Sequence, residues 1–364
     1  MSELRRDPLD QRWVIIAPER SRRPRGALGF GHEPLEAVDP CPFCPGHESL
    51  TPPEILATRE PGSHANGPGW RVRVFANQFP SLTVEGPHGL HADGPYDAMR
   101  GVGAHEVIVE SPSHDHDLAD LDSSQVRDVL LCWRDRLIDL YRDTRMKYVL
   151  LFKNRGAAAG ATLDHPHSQL IATPVNPIRI SRKLDAYREH FKRKERCLFC
   201  DLLQHERHDG SRIVRDEGGF LTFAPYASRF PFELMIAPKE HRWSFAELTR
   251  HEADAMARAV KDALLRMRLG LGDPAYNFVL HAEPNLHAVP RRSGFWDTLR
   301  YDFHWQLIIY PRLTAVAGFE WGTGFYVNAT PPEEAARHLR GVDVSDGAVA
   351  AWRAAQQGHA ERKG

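Results

Sequence analysis

Three things are scarce in this 364-residue chain. The first is cysteine. There are only 5, which is not a disulfide framework in a chain of this size. The second is charge of one sign, since 47 Lys and Arg face 48 Asp and Glu and leave a net charge of -1. A chain so balanced is a poor general binder of nucleic acid or of membrane surface, although a local basic pocket for a small anion stays open. The third is long apolar runs. No stretch of about 18 apolar residues occurs, so no membrane-spanning helix is expected. The start, Met1-Ser2-Glu3-Leu4-Arg5-Arg6-Asp7, lacks the apolar core of a secretory signal, and Arg5-Arg6 leads into Asp7-Pro8. The expectation is a cytoplasmic protein with neither nucleic acid nor membrane as partner.

What is present is ordinary globular material, 42% apolar and 26% charged. At about 150 residues per domain the length suggests two domains. Histidine is abundant, with 20 residues. Four of the cysteines form two Cys-x-x-Cys pairs, Cys41/Cys44 and Cys197/Cys200, with Cys132 left over. Paired cysteines in a His-rich chain point to metal sites.

Pro is dense from Pro24 to Pro95, so the first 100 or so residues read as loops with short strands. Strands are expected at Arg71–Phe75, His105–Val109, Lys147–Phe152 and His167–Ala172. A helix is expected from Ser123 to Arg142, with Asp122 or Ser123 as N-cap. The second part repeats this plan. Strands are expected at Phe220–Phe223, Phe232–Ala237, Asn277–His281 and Phe303–Tyr310, and a helix from Glu247 to Leu269 with Gly270 as C-cap.

Landmarks recur in order. Cys41-x-x-Cys44 is followed by Pro112, His114 and Leu121, a helix, and His165-Pro166-His167-Ser168-Gln169. Cys197-x-x-Cys200 is followed by Pro238, His241 and Leu248, a helix, and His304-Trp305-Gln306. Four landmarks in one order argue for an internal duplication. The division expected is 1–180 and 181–364, with the boundary in the basic stretch from Asn176 to Arg196. Antiparallel strands plus one long helix per half read as an α+β unit, duplicated, whose sheets can join.

Each half offers two cysteines and two histidines, and zinc takes four such ligands in a tetrahedron. The expected sets are Cys41, Cys44, His114 and His165, and Cys197, Cys200, His241 and His304. His116 competes with His114. One zinc is expected in the first set, and the second set allows another. Cys132, on the helix, reads as core.

The segment Asn154-Arg155-Gly156-Ala157-Ala158-Ala159-Gly160-Ala161-Thr162 follows an apolar strand and is small enough for a phosphate to approach the backbone and be held by its N–H groups. It is not a P-loop, because no Gly-Lys-Ser/Thr follows. After it comes His165-x-His167-x-Gln169. Residues two apart on a strand share a face, so these three line up. A neutral imidazole attacks phosphorus well once its other nitrogen is held as a donor. Gln169 can donate to a phosphate oxygen but supplies no proton, which suits a leaving group that is itself a phosphate and disfavours hydrolysis.

This segment resembles the active-site motif of the galactose-1-phosphate uridylyltransferase family, a branch of the histidine triad superfamily. The likeness extends over nearly the whole chain, through Arg6-Asp7-Pro8-Leu9, Trp13 to Arg20 and Arg23-Pro24, Cys41-Pro42-Phe43-Cys44, Arg73 to Pro80, His105 to Glu110 and Ala317 to Gly324. It implies a tandem duplicated histidine-triad-like fold, an antiparallel sheet with flanking helices. It also implies a double displacement in which His167 attacks the α-phosphate of UDP-glucose, expels glucose 1-phosphate and passes the uridylyl group to galactose 1-phosphate. By the same resemblance Gln169 holds the phosphate with Gly160, Ala161 and Thr162 beside it. Arg20 and Arg23 meet the diphosphate, Phe75 and Asn77 the nucleoside, and Asn154 the phosphate side. Phe319 and Glu320 reach into the site of a partner in a homodimer. Gln306 stands where His167 stands, so the second half should be catalytically inert.

His304-Trp305-Gln306 lacks the second-half His-x-His pair of the best-known bacterial members, and Thr314 and Tyr326 fall near their sugar-side Lys and Gln. The second Cys pair is instead similar to a two-zinc branch that includes ADP-glucose phosphorylases. The competing readings are therefore such a phosphorylase or another sugar-1-phosphate nucleotidyltransferase. From a different class comes a non-catalytic, zinc-stabilised nucleotide-binding protein.

Overall fold

Tyr148-Val149-Leu150-Leu151-Phe152 is apolar in every position, a pattern that a strand satisfies only with both faces covered. In the computed structural model, which describes residues 2–22, 35, 38–289 and 297–360, this run lies in the middle of a ten-stranded antiparallel sheet. In chain order the strands are β1 (Glu54–Arg59), β2 (Trp70–Ala76), β3 (Ala104–Val109), β4 (Tyr148–Arg155) and β5 (His167–Thr173). They continue as β6 (Ile213–Glu217), β7 (Phe220–Phe223), β8 (Leu234–Pro238), β9 (Tyr276–His281) and β10 (Gln306–Pro311). The spatial order is β1-β2-β3-β5-β4 followed by β9-β10-β8-β7-β6. Each half therefore uses the same order from its edge to the centre. The halves join through β4 and β9, with Asn154 opposite Asn277 and Leu151 opposite Leu280. The tandem duplication is thus a property of the fold, and the two sheets do merge.

Two long helices cover one face, α1 (Ser123–Leu140) and α4 (Arg250–Leu271), and pack against each other and the strands. Asp122 caps α1, its carboxylate accepting from the Gln125 N–H. Trp133 of α1 is fully buried, its ring centroid 5.2 Å from that of Phe278 on β9. Its Nε1 donates to the Ser168 Oγ on β5 at 2.9 Å. Burial of one indole here contributes about 3–5 kcal/mol relative to a truncated side chain. Cys132, on the same helix, is buried core.

The other two helices named here are α2 (Ile178–Lys194) and α3 (Leu198–Asp209). The basic stretch expected only to mark a boundary is thus mostly helix. Its Arg and Lys residues are mostly at the surface, while Ile180, Lys183, Leu184 and Tyr187 are buried. The chain start is tied to the second half, since strand Trp13–Ile16 pairs with Glu3–Arg6 and, in parallel, with Tyr326–Asn328. Among the described residues no helix is long and apolar enough to cross a membrane.

The ends of α4 differ from the sequence reading. The helix starts at Arg250, because Thr249 and Glu252 form a reciprocal capping box. It runs through Gly270 to Leu271 and stops at Gly272, whose φ of 73° is the left-handed conformation glycine tolerates. Strand β4 also outlasts expectation, reaching Arg155, which puts Asn154 in the ladder. Strand β8 starts at Leu234, after Phe232, which takes a φ of 60°. Thr249→Ala removes the cap. It should lower stability by about 1 kcal/mol, read from the urea midpoint at unchanged slope.

Candidate active site

Strand β5 alternates between two environments. Ser168, Leu170 and Ala172 face α1 and are fully buried. His167 and Gln169 face the opposite side, opposite Val109 and Val107 of β3. On that side lies an apolar cluster of Cys41, Phe43, Trp70, Phe75, Val107 and Val109. The Cys-x-x-Cys turn holds Phe43 over the strand, so that its ring meets His167 edge-on at 5.3 Å and Phe75 at 5.5 Å. Phe75, expected near the nucleoside, is buried beneath this turn.

Two carbonyls fix two tautomers. The His165 carbonyl accepts from Nδ1 of His167 at 2.8 Å, so Nδ1 carries the hydrogen and Nε2 keeps its lone pair. Burial, first among the causes, pushes the His167 pKa down to about 4, so the ring is neutral near pH 7. The Ser111 carbonyl accepts from Nε2 of His165 at 2.8 Å, which frees Nδ1 of His165 toward the cysteines.

That free nitrogen lies 3.8 Å from Cys41 Sγ and 3.6 Å from Cys44 Sγ. Cys44 Sγ is also 3.5 Å from Nδ1 of His114. Zinc bonds of ~2.3 Å to sulfur and ~2.0–2.1 Å to nitrogen give tetrahedral edges of about 3.5 Å, so the four donors fit such an ion. The second set repeats the arrangement. Cys200 Sγ is 3.4 Å from Nδ1 of His241 and 3.5 Å from Nδ1 of His304, and their Nε2 atoms donate to the carbonyls of Arg300 and Pro238. In each set all four donor atoms lie within 4.8 Å of one another. His116 is exposed and outside both groups, so the choice between His114 and His116 falls to His114.

A cavity of 240 Å³ opens beside His167. His114, His165, His167 and Asn154 line it, and so do Asp115, Asp117, Lys153, Arg155 and Gly156. Beneath it sits a buried charge cluster. Nζ of Lys153 donates to Glu110 Oε2 at 2.5 Å and to the His167 carbonyl at 3.3 Å. Asp117 is 3.3 Å from Lys153, 3.0 Å from Arg155, and accepts from the Tyr276 hydroxyl at 2.9 Å. Burial alone would push Lys153 down, but Glu110 and Asp117 outweigh it and hold the ammonium above its ordinary range. Burial raises Glu110, whereas three cations overcome burial at Asp117 and hold it low. The sequence reading missed this cluster, although a Lys ending an apolar strand was a visible signal.

The glycine-rich turn is held from across the central seam. Nδ2 of Asn277 donates to Asn154 Oδ1 and to the Ala159 carbonyl, both at 2.8 Å. Gly160 needs its φ of 82°. The N–H groups of Ala159, Gly160 and Ala161 are bonded to carbonyls inside the turn, at 2.9–3.2 Å. They are therefore not free for a phosphate, unlike the sequence expectation. Thr162 is exposed beside them.

The remaining expected residues lie apart. Arg20 is exposed on the short helix Pro18–Arg22, and Arg23 falls outside the described residues. Asn77 is half-buried and lies near His105, and neither it nor Gln169, which His105 also contacts, lines the cavity itself. Phe319 and Glu320 sit on the short helix Gly318–Thr323, and neither lines the His167 cavity within one chain. Glu320 accepts from the Ala317 N–H at 3.1 Å. In the second half Gln306 is buried between Tyr187 and Lys183 of α2.

The charge cluster yields a test. Lys153→Met leaves the buried Glu110 carboxylate without its cation, while Asp117 keeps Arg155 and Arg268, and should cost about 3–5 kcal/mol in urea unfolding. Adding Glu110→Gln should recover part of that loss.

Residues 1–177 match a family model described as galactose-1-phosphate uridyl transferase, N-terminal domain. Residues 102–342 match one described as a domain of unknown function (DUF4921). Among curated proteins, the chain is 33% identical over 346 residues to ADP-glucose phosphorylase of Arabidopsis thaliana, covering 94% of this chain and 93% of that one. It is 29% identical over 352 residues to galactose-1-phosphate uridylyltransferase of Thermotoga maritima, covering 94% and 99%. A crystal structure of the Arabidopsis thaliana phosphorylase with bound ADP-glucose superposes with a TM-score of 0.79 at 32% identity, over 95% of this chain and 100% of that one. With a neutral buried histidine on the shared fold and these matches over most of its length, the chain belongs to the galactose-1-phosphate uridylyltransferase family of nucleotidyltransferases.

Proposed function

We propose that this protein transfers a nucleotidyl group from a nucleotide sugar to a phosphate-bearing acceptor through a covalent intermediate on His167. The observation that carries the reading is the buried His167 with Nδ1 donating to the His165 carbonyl. That contact leaves the Nε2 lone pair free to attack the α-phosphorus. The bridging P–O bond breaks, its electrons stay with the departing sugar 1-phosphate, and no proton is needed. A phosphate oxygen of the acceptor then attacks the same phosphorus, and the P–N electrons return to Nε2. The His165 carbonyl steadies the positive charge that the ring acquires while bonded. Gln169 contributes an amide donor to a phosphate oxygen, and Asn154 the cavity wall.

In the version expected from the sequence, UDP-glucose supplies a uridylyl group and galactose 1-phosphate accepts it. A second version, phosphorolysis of ADP-glucose by inorganic phosphate, is favoured by the likeness to the Arabidopsis thaliana phosphorylase in sequence and in shape. The two Cys2His2 groups also suit the two-zinc branch. In this proposal both groups hold structural zinc, the first stapling the Phe43 turn to His165. The halves act as domains 1–180 and 181–364, with chemistry in the first. A homodimer would let the exposed Phe319 serve a neighbouring site.

The protein is incubated separately with isotope-labelled UDP-glucose and ADP-glucose, and peptides are examined by mass spectrometry. Nucleotidyl-His167 is expected from at least one, with the base of the adduct naming the donor. His167→Gly should abolish labelling. No adduct from either donor overturns the covalent mechanism. For the metal, elemental analysis should give two zinc ions per chain. Cys41→Ser should lose one of them and slow labelling, whereas Cys197→Ser should lose the other with little effect on rate.

A further inference from the structure

His105 lies on β3, two residues from Val107 and so on the same face as Gln169. Its Nε2 is 2.8 Å from Gln169 Oε1. Its other nitrogen, Nδ1, accepts from the backbone N–H of Ser81 at 3.3 Å. A backbone N–H can only donate, so Nδ1 must carry the lone pair and Nε2 the hydrogen. The hydrogen on Nε2 in turn demands an acceptor opposite it, and the Gln169 amide has one, its oxygen. Flipping that amide would set its NH₂ against the imidazole N–H. Nδ2 of Asn77 also faces Nε2, at 3.3 Å, but the Asn77 oxygen is occupied as acceptor of the Phe79 N–H at 2.8 Å. Asn77 therefore cannot take over the acceptor role. Among the described residues the amide nitrogen of Gln169 has no hydrogen bond.

From this chain of contacts we infer that His105 is a positioning residue for the transfer. It locks the Gln169 amide with its oxygen on His105 and its NH₂ left free, so that two donors are available to the phosphate instead of an acceptor. An anionic phosphate facing an amide oxygen would be repelled, so the orientation decides whether Gln169 helps or hinders. The inference rests on the proposed role of Gln169 in holding the transferred phosphate. It assigns no contact between His105 and the reacting atoms.

The test uses the full-length, metal-loaded protein and the rate of nucleotidyl-His167 formation. His105→Phe keeps a ring but loses the donor. It should slow labelling about tenfold at saturating nucleotide sugar, with KM and zinc content unchanged. His105→Gln returns an N–H near the position of Nε2 and should recover most of the rate. Gln169→Ala should be slow as well, and His105→Phe added to it should cost nothing further. Wild-type labelling in His105→Phe, or losses that add in the double variant, overturns the inference. If His105→Phe fails to fold, His105→Leu, which also lacks the donor, and its pairing with Gln169→Ala decide the matter in the same way. A wild-type protein that labels with neither donor overturns the parent reading, and this inference with it. Slow labelling confined to the variants is distinguishable from that result.

Discussion

One hydrogen bond organises the first half of this protein, from Nδ1 of His167 to the carbonyl two residues before it. A strand cannot make that bond in its regular form, because its carbonyls point to neighbouring strands. It forms here because β5 begins only at His167, and the preceding His165-Pro166 is pinned from elsewhere. His165 donates to the Ser111 carbonyl and turns its other nitrogen to two cysteines. The same Cys turn lays Phe43 on His167. The Cys41–Cys44 turn, the His165 tautomer and the proposed nucleophile His167 are thus one mechanical unit. Burial completes it by keeping the ring neutral.

The second half shows what the same scaffold becomes without that unit. It has the same strand order and the same Cys2His2 geometry. Yet at the position of His167 it carries Gln306, and α2 lays Lys183 and Tyr187 against it. Lys183 sits 2.5 Å from Nδ1 of His281, and burial pushes its pKa down to about 8. In the second half side chains of α2 thus cover the position that corresponds to His167. The second half still serves the site, since Asn277 holds both Asn154 and the turn carrying Gly160. Asn277 reaches them only because the two sheets join at β4 and β9.

Legibility in the sequence followed the range of the interactions. Cys-x-x-Cys pairs, His-x-His-x-Gln and the helix periodicity are local, and each was readable with its partner residues. The eight candidate metal donors were found by repetition of order, and the structure brings them together in two groups of four. Helix ends were off by two or three residues, because the capping box at Thr249 competes with an apolar pattern that starts earlier. The glycine-rich turn was readable as a turn, but its N–H groups are consumed internally. Lys153, Glu110, Asp117 and His105 were passed over, since their significance depends on partners 28 to 64 residues or more away.

The duplication, the family likeness, the two Cys2His2 sets and the asymmetry between His167 and Gln306 were all readable from the amino-acid order. These rest on residue identity and spacing, which a chain carries before it folds. The tertiary structure decided which nitrogen of each histidine is free, which charges neutralise one another beneath the cavity, and which way the Gln169 amide faces. It also decided that Phe319 and Glu320 lie away from the cavity of their own chain. Tautomers and amide orientations are set by single carbonyls and N–H groups brought from distant strands. No local pattern encodes those, because every residue supplies the same backbone groups and only the fold chooses which of them meet.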